Sequence, residues 1–586
     1  MPLRPAAAFL LLALLLGGSG ALSGNEESWV EVRSPHYTAV SNAGEAEARA
    51  ALRQFEAIRE VFRKVLPEAR TETGRPLTLV VLQDETSMRR FAPGPFEGQD
   101  PSRPAGRFLR SQDMDFAILR LDVQHQDRQP YFTLYHEFAH GIIHGNLGHV
   151  PAWLDEGIAD FYGATEIRRD RVRIGQVPEA RLDRLRRSAL LPAEVFFTVD
   201  RDSPHYRQAG KSSLFYAQSW AAVHYLLMDP GAVQKGLLGR LVQALEEVSD
   251  PLAAHRRAFG DLPSFIAALR TYARQPSFRF HDYDLALALD DRGFAVRGLG
   301  RAEVLVLEAE ALQRSGQPER ARAPLKEALD LAPGLGRAHL GLGYQAFQER
   351  SDGPARAHLL EAQRLDGQDF RTPYYLAALA LRGAGEEAAV PLRLLERCLA
   401  LNPGFAPAHS LCGLALLREP DGRARALAAS RRAVELEPAT LAFRANLGEV
   451  CLALGEEAQA ARIAEGLKTA ARTPEERRMA DSFARELAEH QNHRRREAEH
   501  PATPSGASVT GPPPGIQAEP LRRSLKFRLP EKHQGLGRAV LARVAEGREQ
   551  DAITLVKGAL AQASGTDRKA LQDLLAQLRG IPAGPR

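Results

Sequence analysis

Two histidines four residues apart, His136 and His140, frame Glu137 in the run His136-Glu137-Phe138-Ala139-His140. On a helix this spacing stacks both imidazoles on one face, one turn above the other. Two imidazole nitrogens can then reach a single zinc ion, with a carboxylate beside it. Sixteen residues after His140 comes Glu156, inside Trp153-Leu154-Asp155-Glu156-Gly157-Ile158-Ala159-Asp160. A Zn2+ ion held by His136, His140 and Glu156 lowers the pKa of a bound water to about 7. Glu137 is placed to take that proton as the water attacks a carbonyl, and to deliver it to the leaving amine.

Alone the histidine pair is a weak pattern in a chain with 17 histidines. Its surroundings strengthen it. Asp160 follows Glu156 by four residues, so it shares that helix face and can orient a ligand histidine from behind. Trp153, Leu154, Ile158, Ala159 and Phe161 mark the helix as packed, with its carboxylates turned to something specific. His144, one turn further along, and His149, in the next loop, are alternative third ligands. A scheme with glycine three and histidine six residues after the second histidine fails, because Ile143 and Asn146 stand there.

The elements that must carry these residues read as follows. Residues 29–40 alternate polar and apolar and predict a strand. A helix follows over Glu45–Val65, then a strand at Leu77–Leu82. Residues 93–107 are rich in Pro and Gly and predict a loop. Phe116–Leu121 is a third strand. Tyr131–Ile143 predicts the helix with the paired histidines, and Pro151 opens the helix with Glu156, where its missing N–H costs nothing. Residues 213–228 form a further helix, with more helical segments to about Arg274. This is an α+β domain with a mixed sheet, over residues 24–290.

Beyond about Ala302 strands vanish. Pro333, Pro403 and Pro438 each follow a helix end, in DLAP, ALNP and ELEP, with separations of 70 and 35 residues. Small residues return in register, among them Ala309, Ala321, Ala328, Gly448 and Ala460. A period near 35 with proline after the second helix resembles the tetratricopeptide repeat. Five copies between about 302 and 475 predict an all-α solenoid over 298–490 with a concave surface; Pro391 makes the third copy irregular. Residues 491–521 are polar and Pro/Gly-rich and predict a disordered linker. Residues 522–586 read as a short helical segment, with two amphipathic helices over 536–579.

The 77 Lys+Arg against 73 Asp+Glu give a net charge of +4, which does not point to nucleic acid. Three cysteines, Cys398, Cys412 and Cys451, form no disulfide framework and read as buried helix residues. Arg4, the apolar run Ala6–Leu16 and the small-x-small site Ala21-Leu22-Ser23 predict a signal peptide over residues 1–23, hence an exported protein, periplasmic or extracellular. A retained segment would anchor the chain to the membrane.

His136-Glu137-x-x-His140 followed by Trp153-Leu154-x-Glu156-Gly157-x-Ala159 resembles the gluzincin zinc metallopeptidases, the group of thermolysin-like and aminopeptidase N-like enzymes. Together with FAILRL before it, the Tyr216-Ala217-Gln218-Ser219-Trp220 helix and the repeats, the chain is most similar to bacterial peptidase MA-like proteins. The likeness spans roughly residues 29–275 and the repeat region. It implies a zincin-like domain, with His136, His140 and Glu156 as ligands, Glu137 as base and acid, and Asp160 behind them. It also implies that the strand 116–121 is the edge along which an extended peptide lies. Members supply a Tyr or His to the oxyanion; Tyr216 is the candidate, ahead of His224 and Tyr225. The aminopeptidase branch carries a Gly-x-Met-Glu-Asn segment upstream, which Gln112-Asp113-Met114-Asp115 does not match, so an endopeptidase is favoured. The expectation is an exported zinc metallopeptidase whose repeats recruit protein substrates or partners. The alternative is an interaction scaffold with a weakly active or inactive peptidase-like domain. A third reading is hydrolysis of a non-peptide amide.

Overall fold

The computed structural model describes residues 27–499, except 72–73, 98–103, 124–130, 148–149, 169–170, 201–202, 208, 249, 285–290, 384–388, 420 and 472; beyond 499 it describes 553–557 and a few single positions. The expected signal peptide, residues 500–521 of the expected linker and most of the expected helices over 536–579 lie outside the described residues. Two compact units are present: residues 1–379 with 387–492, and residues 380–386 with 493–586. Sheet and solenoid both belong to the first. In the second, residues 553–557 are helical.

The chain begins with β1 (Trp29–Arg33) and β2 (Thr38–Ser41), then α1 (Glu45–Val65), β3 (Leu77–Leu82), α2 (Glu85–Phe91), β4 (Gly106–Leu109) and β5 (Asp115–Arg120). The single strand expected over 29–40 is thus a hairpin. Pro35 cannot extend the ladder, and Ser34 and Tyr37 close the turn with reciprocal hydrogen bonds. Next come α3 (Phe132–Asn146), α4 (Ala152–Gly163), β6 (Glu166–Arg168), β7 (Arg171–Ile174), α5 (Glu179–Arg187), α6 (Ala193–Phe196), α7 (Pro204–Arg207) and α8 (Ala209–Met228). Helices α9 (Pro230–Gln234), α10 (Leu237–Glu247), α11 (Pro251–Phe259) and α12 (Leu262–Ala273) lead to β8 (His281–Asp284) and β9 (Ala295–Leu299).

The main sheet has the order β4-β5-β3-β2-β1-β9. β2, β3 and β5 run parallel, and the remaining pairs are antiparallel. β6, β7 and β8 form a small antiparallel sheet. Both faces of the main sheet are covered, so β3 reads LTLVVL without polar alternation. Leu79 and Val81 enter the core under α1, α3, α4 and α8, while Val80 and Leu82 enter a second core with Phe91 of α2.

Three boundaries differ from expectation. The strand at 115–120 is not the edge: β4 lies outside it, beginning in the last two residues of the stretch expected to be loop. Four residues, GRFL, after a Pro/Gly-rich run are too few to show a period. β9 completes the sheet beyond the boundary expected at 290. The last helix, α23 (Pro474–Glu499), continues through residues 491–499 of the expected linker.

From Arg301 the chain is a tetratricopeptide-like helical solenoid. Its hairpins pair α13 (Arg301–Arg314) with α14 (Pro318–Leu331), α15 (Gly336–Gln348) with α16 (Asp352–Leu365), and α17 (Arg371–Arg382) with α18 (Ala389–Leu401). Then α19 (Ala406–Leu416) pairs with α20 (Arg423–Leu436), and α21 (Leu441–Ala453) with α22 (Glu457–Ala470). Successive hairpins start at 301, 336, 371, 406 and 441, a step of 35 residues each time. Ala321, Ala355, Pro391, Ala426 and Ala460 are buried at matching places, so Pro391 fills a small-residue position from the first turn of its helix, where proline is tolerated. Cys398, Cys412 and Cys451 are buried and free. No helix among the described residues is long and apolar enough to cross a membrane.

Solenoid and sheet are one packed body. Val304, Leu307 and Ala311 of α13 join the core beneath α2. The turn between β4 and β5 enters the face made by the first helices of the hairpins. Asp113 meets Arg314 at 2.6 Å with both side chains 2% exposed, and Gln112 donates to the Tyr374 hydroxyl at 2.9 Å. Arg371, buried beside Met114, also pairs with Glu310 at 2.9 Å. At Gly74 the chain takes a left-handed φ of 68°, and a Cβ there would lie 2.0 Å from the Gly404 carbonyl oxygen. Only glycine fits that contact.

Candidate metal centre

Helix α3 turns Leu134, Tyr135, Phe138, Ala139 and Ile142 into the core. The stripe left over carries His136 and His140 toward α4. α4 buries almost its whole length, including Asp155, Glu156 and Asp160 at 4%, 4% and 0% exposure. Buried carboxylates must be paired, and the antiparallel neighbour supplies the partners. A step of four residues up α3 is matched by a step of four down α4, so Asp160 meets His136 and Glu156 meets His140. Behind α4 stands α8, in contact at Gly157, where a Cβ would lie 2.4 Å from the Ser219 carbonyl oxygen.

The Nε2 atoms of His136 and His140 are 3.1 Å apart. Glu156 Oε2 lies 3.3 Å from the first and 3.4 Å from the second. Ligands at about 2.0–2.1 Å around a tetrahedral ion are themselves about 3.3–3.4 Å apart, so this triangle has the dimensions of a zinc ligand set. The outer nitrogens are also committed. His136 Nδ1 donates to Asp160 at 2.9 Å, and His140 Nδ1 donates to Asp155 at 2.8 Å. Ionised carboxylates only accept, so each Nδ1 keeps its proton, and each Nε2, once deprotonated, turns a lone pair inward, toward a third lone pair on Glu156. Three converging lone pairs suit a cation.

The charges agree. Burial pulls the His136 pKa down, but bonds and charge from Asp160 and Glu156 overcome it and raise it to about 10. His140 is likewise lowered by burial and raised more by Asp155 and Glu156, to about 9. Burial works to raise Glu156, yet His136 and His140 hold it well below the usual carboxylate range. Asp155 is driven down in the same way by His140 and His144. Asp160 is lowered against its burial chiefly by Arg181, 2.8 Å away.

Glu137 is half-buried on α3 between the two histidines, and its backbone carbonyl accepts from Arg110 at 2.8 Å. His144 is outside the triangle: Nε2 faces Asp155 at 3.0 Å and Nδ1 accepts from Arg110 at 3.0 Å. His149 lies outside the described residues. The phenol that touches the ligand set is Tyr206, which donates to Glu156 Oε1 at 2.6 Å. Tyr216 is one step back, hydrogen-bonded to Tyr206 and lying under Arg181. Burial and the Glu156 charge raise its pKa, so its hydroxyl stays a donor. His224 bonds Tyr272 and the Gly175 carbonyl, and Tyr225 packs on Phe265 and Tyr272; neither is brought to the triangle.

Sequence reasoning missed Asp155, Arg181, Tyr206 and Arg110. The adjacency of Asp155 to Glu156 on a helix antiparallel to α3 was a usable signal. Tyr206 sits on a four-residue helix, too short for any period.

Residues 132–238, which carry the whole triangle, match a family model described as "Protein of unknown function (DUF1570)". No curated protein matches the chain. Similar solved structures include YrrB, titled a TPR protein with an unusual peptide-binding site, at 20% identity over 33% of this chain and 92% of that one, TM-score 0.26. TTC0263, a thermophilic TPR protein of Thermus thermophilus, is 18% identical over 33% of this chain and 99% of that one, TM-score 0.27. PilF of Pseudomonas aeruginosa is 16% identical over 35% and 93%, TM-score 0.27. Overlaps of this size carry no functional information about the present chain.

Proposed function

We propose that the chain is an exported zinc-dependent metallopeptidase, an endopeptidase, built on a zincin-like domain. The observation that carries this reading is the triangle of His136, His140 and Glu156, with each histidine clamped from behind by its own aspartate. A zinc ion held there supplies Lewis acidity and a water acidified to a pKa of about 7. Glu137 accepts a proton from the attacking water and passes it to the leaving nitrogen. Asp155 and Asp160 keep both histidines in the metal-binding tautomer. Tyr206 orients Glu156, and Tyr216 supports Tyr206. The edge strand β4, beside α3, offers free backbone groups to an extended peptide. Export rests on the leader-like residues 1–23.

The test is Glu137→Gln in the full chain. Both forms are expected to bind one equivalent of zinc, and only the wild type to cleave peptides, with a loss of at least about a hundredfold in the variant. Equal activity, or a zinc-loaded wild type inert on broad peptide libraries, overturns the reading.

The five stacked hairpins favour a second reading, an interaction scaffold that holds protein partners. A deletion phenotype rescued equally by wild type and Glu137→Gln supports the scaffold; rescue by the wild type alone supports the enzyme.

A further inference from the structure

A cavity of about 460 Å³ opens beside the C-terminal end of α3. Arg75, Arg110 and His144 line one wall, and Leu436, Leu441 and Met479 of the solenoid line the other. Arg110 directly follows the edge strand β4, and Gly106 at the strand's other end lies against Thr133 and Leu134 of α3. β4 therefore runs along the metal helix and delivers its end into the cavity.

Two arginines and three carboxylates line this cavity, and each carboxylate is engaged. Glu437 takes Arg75 at 3.0 Å, Glu475 takes Arg478 at 2.6 Å, and Glu476 accepts from the Thr473 backbone N–H at 3.0 Å. Arg110 meets only neutral acceptors within hydrogen-bond distance among the described residues, His144 Nδ1 and the Glu137 carbonyl, and stacks near Phe108. Asp115, Glu137 and Asp155 act on its charge from beyond hydrogen-bond distance, and no carboxylate among the described residues takes its donor fork.

Arg110 is also wired to the metal triangle. It donates to His144 Nδ1, so His144 Nε2–H donates to Asp155 Oδ2. The other oxygen of Asp155 holds His140 Nδ1. Three hydrogen bonds thus connect the cavity cation to a ligand histidine.

We infer that Arg110 and this cavity form a specificity subsite for a carboxylate of the bound peptide, its stem lying along Leu436, Leu441 and Met479. The carboxylate is an acidic side chain or a peptide C-terminus. That it is a peptide's rests on the peptidase reading, which supplies the groove along β4.

The experiment measures binding by fluorescence anisotropy on the full chain carrying Glu137→Gln, so that nothing is cut. The probes are labelled alanine-rich decapeptides: neutral and amidated, amidated with one internal glutamate, or neutral with a free C-terminus. At least one carboxylate peptide is expected to bind about tenfold more tightly than the neutral amide, in line with a charge-assisted hydrogen bond. Which arm gains identifies the source. Adding Arg110→Gln removes the difference, and Arg110→Lys, which keeps the charge and loses the fork, retains part of it. Thermal melts confirm that each variant is folded. Equal binding of all probes, or a preference that survives Arg110→Gln, overturns the subsite. The peptidase reading fails separately, if the zinc-loaded wild type cleaves none of the peptides that the Glu137→Gln chain binds.

Discussion

His140 and Asp155 face each other across α3 and α4, Nδ1 to Oδ1 at 2.8 Å, and Asp155 gives its second oxygen to His144 at 3.0 Å. One carboxylate thereby fixes the tautomer of a ligand and of its neighbour one turn on. Asp155→Asn puts amide donors where a pure acceptor stood and disturbs both rings. Zinc affinity is expected to fall about 10- to 100-fold, and Asp160→Asn to act similarly through His136. Competition against a chromophoric chelator checks both; unchanged affinity removes the aspartates from the metal centre.

Tyr206 and Tyr216 separate by substitution. Tyr206→Phe leaves Glu156 Oε1 without its donor, so zinc affinity and turnover both fall. Tyr216→Phe leaves the ligand set intact and is expected to lower kcat with little change in zinc affinity. If Tyr216→Phe is the one that loses metal, the roles are reversed.

Two buried histidines predict acid lability. His224 and His255 are pushed down by burial to about 4, against about 6.5 when unfolded. Above pH 6.5 neither chain state binds the proton, and their full contribution to stability is present. As pH falls from 6.5 toward 4 the unfolded state takes up protons that the folded state refuses. Each ring then costs about 1.4 kcal/mol per pH unit. Urea unfolding between pH 6.5 and 5, with a chelator present so that metal release does not enter, is expected to show a slope to which these two rings add up to two protons. In His224→Gln the slope falls by up to one proton; an unchanged slope refutes the assignment.

Asp113 and Arg314 form a buried pair with both side chains 2% exposed. Asp113→Ala takes away the carboxylate that contacts a buried guanidinium and leaves only the charge of Glu310, and a loss of about 3 kcal/mol is expected. The double change Asp113→Leu with Arg314→Met recovers most of it. Thermal unfolding of the three variants checks this, and a mild single-variant effect would show that water reaches the site.

Long periodic elements were legible in the residues. The bounds of α1 and β3 follow from apolar spacing, and the solenoid from Pro333, Pro403 and Pro438, which stop helices at a constant step. His136, Glu137, His140, Glu156 and Asp160 were legible because helix geometry converts spacing into a shared face. What stayed hidden was long-range or short. β4 has four residues, and β9 (AVRGL) is largely exposed, so burial imposes no pattern on it. Pairs such as Asp113 with Arg314 join residues 201 apart in the chain, and no local signal announces them. The aspartate behind His140 was overlooked because only one face of α4 was read, whereas Asp155 and Glu156 reach α3 from adjacent angles.

The turn carrying Gln112, Asp113 and Met114 rests against the first helices of the solenoid's hairpins. It is a tethered occupant of that surface. A short tether keeps its effective concentration on the order of millimolar. A free peptide of equal intrinsic affinity must reach that concentration to claim half of the surface. A free ligand for this face of the first three hairpins therefore competes with a built-in occupant present at that concentration.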